Sequence, residues 1–182
     1  MNVIQTSLPG VLLIEPRVFG DERGFFFESF NARTFREATG VAPDFVQDNH
    51  SHSHRDVLRG LHYQIEQPQG KLVRTVTGEV FDAVVDLRRS SPTFGRWEGF
   101  VLSAQNKRML WVPPGFGHGY LVLSEHADFL YKTTDYYAPA HERCVRWNDP
   151  TVGVQWPLQG REPTLSAKDR VGALLADAEL YP

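Results

Sequence analysis

The stretch Lys71-Leu-Val-Arg-Thr-Val-Thr77-Gly78-Glu79-Val80-Phe-Asp-Ala-Val-Val-Asp-Leu87 decides the fold class. Two runs rich in β-branched residues, Lys71 to Thr77 and Val80 to Leu87, flank the turn Thr77-Gly78-Glu79, where glycine supplies the freedom a tight reversal needs. This reads as an antiparallel hairpin. Outward from it the same grammar repeats. On the N-terminal side lie a short apolar strand at Val11 to Ile14, an aromatic strand at Gly24 to Phe30, an extended segment at Phe45 to Asn49, and a strand at Val57 to Gln64. On the C-terminal side lie Trp97 to Ser103, Met109 to Val112, Tyr120 to Leu123, Asp128 to Thr133 and Arg143 to Trp147.

Turn signals at this spacing predict an all-β chain, with residues 1–182 forming one antiparallel barrel of jelly-roll type. Helices are few. Asn31 caps Ala32 to Ala38, with Gly40 just past the end. Ser166-Ala-Lys-Asp169 reads as a capping box opening a helix over 166–180, whose apolar positions Val171, Leu174 and Leu175 have helical spacing.

Composition narrows the function classes. Apolar residues at 41% and charged residues at 23% predict a packed domain rather than a disordered chain. A net charge of -3 argues against a surface that coats nucleic acid. The single cysteine, Cys144, forbids an intrachain disulfide, excludes a zinc site built from several thiolates, and fits a reducing cytoplasmic setting. No apolar run is long enough for a membrane helix. The N-terminal residues lack the basic start of a signal peptide, so none is expected.

Several segments bear chemistry. In Arg59-Gly-Leu-His62-Tyr-Gln64, strict alternation puts Arg59 and His62 on opposite faces, and a bulge at Gly60 brings both to one cavity. An imidazole ordinarily titrates near neutrality, which suits a general base, although a lone histidine is more often structural. Lys71 opens the next strand with its face undecided by pattern. An ammonium turned into a barrel is costly unless an anion meets it. Arg74 reads as a solvated rim charge. Pro113-Pro-Gly-Phe-Gly-His118-Gly resembles the second cupin motif, where proline and glycine shape a turn before an inward histidine. Cupin metal sites need a carboxylate near the place Lys71 occupies, and an ammonium there repels a dication, so the expectation is a cupin barrel without a metal. His50, His52 and His54 alternate with serine; on a strand they would share a face and chelate, but an exposed loop is the favoured reading. Tyr131 reads as a proton carrier or, the favoured reading, a core ring with a satisfied hydroxyl, while Tyr136 and Tyr137 read equally as rings stacked on a planar ligand base or as surface packing. Asp169 is either the acid of the capping box or a carboxylate that orients a histidine.

Taken in order, Arg23-Gly-Phe-Phe-Phe-Glu28, Gln47-Asp-Asn49, Arg59-Gly-Leu-His62-Tyr-Gln64, Gly70-Lys71-Leu-Val, Val80 to Arg88, Ser91-Pro-Thr-Phe-Gly, Trp111 to Gly119, Tyr131-Lys and Ser166-Ala-Lys-Asp169 resemble the dTDP-4-dehydrorhamnose 3,5-epimerase family. The resemblance spans nearly the whole chain. It implies a metal-free cupin-type jelly roll without cofactor, dimerising by exchange of N-terminal strands. It implies dTDP-4-dehydro-6-deoxyglucose as substrate, inverted at C3 and C5 to dTDP-4-dehydrorhamnose in dTDP-rhamnose biosynthesis. His62 matches the family's base, Asp169 its partner, and Tyr131 the acid on the opposite face of the sugar. Arg59 and Lys71 match residues beside the reacting sugar, with Lys71 the candidate to hold the enolate. Arg23, Glu28, Gln47, Asn49, His118, Glu142 and Lys168 match ligand-contacting positions, and Tyr137 the ring stacked on thymine. Three rivals stay open: a related enzyme inverting C3 or C5 alone, a metal-dependent cupin oxygenase, and a sugar-nucleotide-binding module without catalysis, against which the intact His62, Tyr131 and Asp169 set weighs.

Overall fold

The computed structural model describes all of residues 1–182. Strands β1 (Asn2–Gln5), β2 (Leu12–Glu15), β3 (Phe19–Asp21) and β4 (Gly24–Phe26) precede helix α1 (Ala32–Thr39). Then come β5 (Gln47–His54), β6 (Leu58–Gln64), β7 (Lys71–Thr77), β8 (Glu79–Asp86), β9 (Trp97–Ser103), β10 (Met109–Val112), β11 (Phe116–Val122), β12 (His126–Thr133) and β13 (Glu142–Cys144), and last the short helix α2 (Ala167–Arg170). A six-stranded sheet in the order β1-β2-β10-β7-β12-β5 faces a five-stranded sheet in the order β13-β6-β11-β8-β9. Neighbouring strands run antiparallel throughout. This is the expected jelly roll.

Alternation along each strand decides what lies between the sheets. Val73, Leu110, Val112 and Phe129 of one sheet meet Val84, Leu102, Tyr120 and Val122 of the other. The Phe129 and Tyr120 rings stack across the gap with centroids 4.3 Å apart. The outer face of the six-stranded sheet is covered by α1, whose Phe35 packs on Leu12, Leu72, Met109 and Trp111. Asn31 caps this helix through its side chain, and Gly40 closes it in the left-handed region at φ 73°. At eight residues it is too short to hold itself. Burial of Phe35 contributes roughly 1.5–3 kcal/mol, against about 1 kcal/mol for the cap, so tertiary packing fixes it. The outer face of the five-stranded sheet is covered by the C-terminal segment, with Leu175 and Ala178 against Tyr63 and Val85.

Three expectations are corrected. His50, His52 and His54 lie on strand β5, not in a loop. Registry with β12 pairs Asn49 with Tyr131 and Ser51 with Phe129, so Asn49, Ser51 and Ser53 face inward and the histidines outward. Both faces of β5 are polar because its inner face lines a cavity rather than the core, which erases the apolar alternation a half-buried strand shows. Outside, His50 and His52 both approach Asp128 Oδ1, at 3.0 and 3.1 Å. Second, the helix expected over 166–180 is only the four residues of α2. Beyond it the backbone bonds to the sheet edge, with Ala173 N–H donating to the Cys144 carbonyl and Arg146 N–H donating to the Ala173 carbonyl. A Cβ on Gly172 would come within 2.9 Å of the Arg146 backbone, so this segment lies flat against its neighbour. Third, the strand expected over Gly24 to Phe30 stops at Phe26, and Glu28 instead accepts a hydrogen bond from Asn31, the cap of α1.

The hairpin of β3 and β4 pairs with neither large sheet. Phe25 and Phe26 on it are 63% and 69% exposed, and β1 and β2 sit in their own chain's sheet.

Candidate active site

The anticipated bulge lies at Gly60. Pairing between β6 and β11 shifts register opposite it, between His118 and Tyr120. Gly60 adopts φ 118°, and a Cβ there would lie 2.6 Å from Gly119 Cα and from the His118 carbonyl oxygen. A Cβ on Gly119 would lie 2.6 Å from the Arg59 carbonyl oxygen. Two facing glycines therefore let the strands approach, and the added residue turns Arg59 and His62 to the same side.

Both side chains line one cavity of about 350 Å³ between the sheets, the size of a small ligand pocket. The six-stranded sheet contributes Gln47, Asn49 and Ser51 from β5, Lys71 from β7 and Tyr131 from β12; the other contributes Arg59, His62, His118 and Glu142. Tyr137 closes the rim.

Behind His62 stands Asp169. His62 Nε2 donates to Asp169 Oδ1 at 2.6 Å, and Ser166 Oγ donates to Asp169 Oδ2 at 2.7 Å. Burial alone would raise the Asp169 carboxyl, but the bonds from His62 and Ser166 outweigh it and hold the group below its ordinary range. An ionised Asp169 fixes the proton on Nε2 and leaves Nδ1 free as a base. The two readings of Asp169 thus coexist: its side chain bonds the histidine while its backbone N–H donates to the capping Ser166 Oγ.

Lys71 faces inward, opposite Thr133 in the register. Burial pulls its ammonium from 10.5 down to about 8, while Asp82 and Glu142 support the charge only from a distance. It is thus a cation without a bonded carboxylate, aimed into a cavity. Burial, with Tyr120 nearby, raises the Tyr131 phenol above its usual range, so it enters the cavity protonated. The rim is a network: Tyr137 Oη and Lys168 Nζ both donate to Glu142 Oε2, and Tyr137 N–H donates to Gln47 Oε1 at 3.0 Å.

Three supporting residues were not singled out from sequence. Asp82, fully buried, accepts from His118 Nε2 at 2.9 Å. Its signal was an acid inside the apolar run of β8, which a buried position tolerates only with partners. Ser53 accepts from Arg59 Nε and Nη2. Gln64 holds the Tyr137 loop, donating to the Tyr136 carbonyl and accepting from Ala138 N–H. Two expected ligand residues lie elsewhere. Arg23 is exposed on the β3–β4 hairpin, paired with Asp21, and Glu28 is bonded to Asn31.

Residues 5–177 match the family model described as dTDP-4-dehydrorhamnose 3,5-epimerase. The chain is 63% identical over 182 residues to dTDP-4-dehydrorhamnose 3,5-epimerase of Pseudomonas aeruginosa, covering 100% of both chains. This chain belongs to the dTDP-4-dehydrorhamnose 3,5-epimerase family. The crystal structure of dTDP-6-deoxy-D-glucose-3,5-epimerase from Legionella pneumophila, in complex with dTDP-4-keto-L-rhamnose, superposes with TM-score 0.95 at 52% identity, covering 98% of this chain and 94% of that one. A 3'-monoepimerase from Streptomyces bikiniensis, in complex with dTDP-quinovose, gives TM-score 0.89 at 38% identity, covering 97% and 88%. The epimerase described here is an isomerase with the cupin-like jelly roll of these neighbours. None of its helices is long and apolar enough to cross a membrane.

A role for Lys71 in turnover predicts a pH dependence for the epimerase. With burial holding the Lys71 ammonium down at about 8, kcat/KM should fall as pH rises through that value. Stability runs the other way: the unfolded chain keeps this proton up to about 10.5, so it binds more protons than the folded chain between about 8 and 10.5, and stability rises with pH there. A Lys71→Met variant, measured across the same range, should lose the alkaline fall in kcat/KM along with most of its activity. An unchanged alkaline limb would remove Lys71 from this role.

Proposed function

We propose that the epimerase converts dTDP-4-dehydro-6-deoxyglucose to dTDP-4-dehydrorhamnose, with His62 as base and Tyr131 as acid. The observation that carries this reading is the placement of His62, backed by Asp169, and Tyr131 on facing sheets across one cavity. Carbons 3 and 5 of the sugar flank its C4 ketone, so their protons are acidic. His62 Nδ1 removes one, leaving an enolate whose charge falls on the C4 oxygen. Lys71 stabilises that oxygen, and it does so best in the transition state, where the charge develops. Inversion requires the new proton to arrive from the other face, and Tyr131 supplies it from the opposite sheet. Asp169 stabilises the imidazolium formed in between.

A second copy of the chain completes the site. The exposed Phe25 and Phe26 favour a covered position for the β3–β4 hairpin. Exchange of that hairpin between two copies carries Arg23 and Glu28 to the partner's cavity, where Arg23 clamps the diphosphate. Tyr137 stacks on the base. A cytoplasmic sugar-nucleotide pathway is the setting.

The reading is tested by incubating enzyme and substrate in heavy water. Deuterium at both C3 and C5 of the product is expected. Label at one carbon alone would assign the chain to the single-carbon class, to which the Streptomyces bikiniensis monoepimerase belongs; the 63% identity to the Pseudomonas aeruginosa 3,5-epimerase favours two. No label at either position would overturn the catalytic reading.

A further inference from the structure

The His62–Asp169 pair has a third neighbour that the epimerisation does not use. Cys144 on β13 is the cross-strand partner of His62, and partners in a ladder put their side chains on one face. One donor atom from each of His62, Cys144 and Asp169 lies within 4.8 Å of the other two. A tetrahedral ion with bonds of about 2.0 Å to nitrogen or oxygen and about 2.3 Å to sulfur sets its donors roughly 3.3–3.6 Å apart, so small rotamer changes close the set. Imidazole, thiolate and carboxylate form a nitrogen, sulfur and oxygen set suited to a borderline-soft dication. Asp169 is 2% exposed and forms a rear wall, whereas the His62 side chain keeps 32% of its surface open, giving an entry path from the cavity. Burial, then the nearby Asp169 and Glu142, push the Cys144 thiol up to about 12, so it stays protonated until a cation displaces the proton, and the same two carboxylates favour that cation.

We propose that His62, Cys144 and Asp169 form an inhibitory site for a zinc-class divalent cation. On binding, the imidazole donates its Nε2 lone pair to the metal and its proton shifts to Nδ1. The Cys144 thiol releases its proton to solvent, and the Asp169 oxygen turns from the imidazole to the ion. With Nδ1 protonated, His62 has no lone pair for the sugar, and turnover stops. Inhibition rests on the epimerase reading; binding rests on the three donors alone.

The test uses the intact protein with cobalt(II), as a spectroscopic stand-in, and with zinc(II). Cobalt should give tetrahedral absorption with a sulfur-to-metal charge-transfer band, which zinc abolishes. Zinc should bind one ion per chain by calorimetry and slow turnover until a chelator restores it. Cys144→Ser should keep basal turnover and its melting temperature, lose the charge-transfer band, and need at least about tenfold more zinc for half inhibition. Cys144→Ala replaces it if the serine variant loses its thermal transition. Absence of the sulfur band, or equal zinc sensitivity with and without Cys144, would overturn the proposal. The second result would assign zinc binding to other ligands, such as the exposed His50 and His52. A sulfur band in a protein that moves no deuterium would keep the metal site and sink the epimerase reading instead.

Discussion

Replacing His62 with Ala should lower kcat by about 10²–10⁴-fold, the range a positioned general base contributes, while dTDP still binds. The residue reaches the cavity through the bulge at Gly60 and has no structural partner on the cavity side; its one side-chain bond is to Asp169. Its removal takes away the base without breaking the rim network of Tyr137, Glu142 and Lys168. Calorimetry with dTDP should therefore give a dissociation constant near that of the unmodified protein. Asp169→Asn should fall between the two in rate, because the imidazole stays in place but loses the carboxylate that fixes its tautomer. Loss of dTDP affinity in step with rate would reassign His62 to binding, and an unchanged rate would remove it from the chemistry.

Tyr131→Phe is the second large effect and separates two steps that His62→Ala cannot. The phenol is half-buried on β12 with no hydrogen bond that a phenylalanine would break, and its charged neighbours act only through space. The variant should fold normally. Product formation should drop by about 10²-fold or more. Exchange of substrate hydrogen with heavy water should persist, because His62 still removes the proton and can return a solvent-derived one from its own face. Label would then appear in recovered substrate without inversion. Equal loss of exchange and inversion would contradict a two-face arrangement, and equal retention of both would exclude Tyr131 from it.

How far this was readable in advance differs between the fold and the site. The barrel was legible because the core strands alternate cleanly: Val73 and Thr75 turn inward while Leu72 and Arg74 turn out, and the hairpin turn at Gly78 pins the register. Where a strand borders the cavity, the signal fails. β5 carries serine and asparagine inside and histidine outside, a pattern polar on both faces, so it reads as a loop. The C-terminal segment fails for the opposite reason. Val171, Leu174 and Leu175 have helical spacing, yet Val171 is 77% exposed and only Leu175 is buried, because hydrogen bonding to β13 overrides the local preference. Among site residues, the bulge at Gly60 was deducible, since Arg59 and His62 share a cavity only with an extra residue. The face of Lys71 was not, because alternation has two phases and a single cation does not choose between them. Asp82 escaped notice even though an acid inside an apolar strand is a visible anomaly. Arg23 and Glu28 fall outside the cavity of their own chain, and the exchange proposed to carry them to a partner's cavity is something no pattern within one sequence states.

The most direct test of the central claim is a crystal structure of the enzyme with a dTDP-hexose bound. The account predicts the His62 imidazole against one face of the sugar ring and the Tyr131 hydroxyl against the other, with the Lys71 ammonium within hydrogen-bond distance of the C4 oxygen. Both side chains approaching from the same face, or a ring held beyond reach of Lys71, would contradict it.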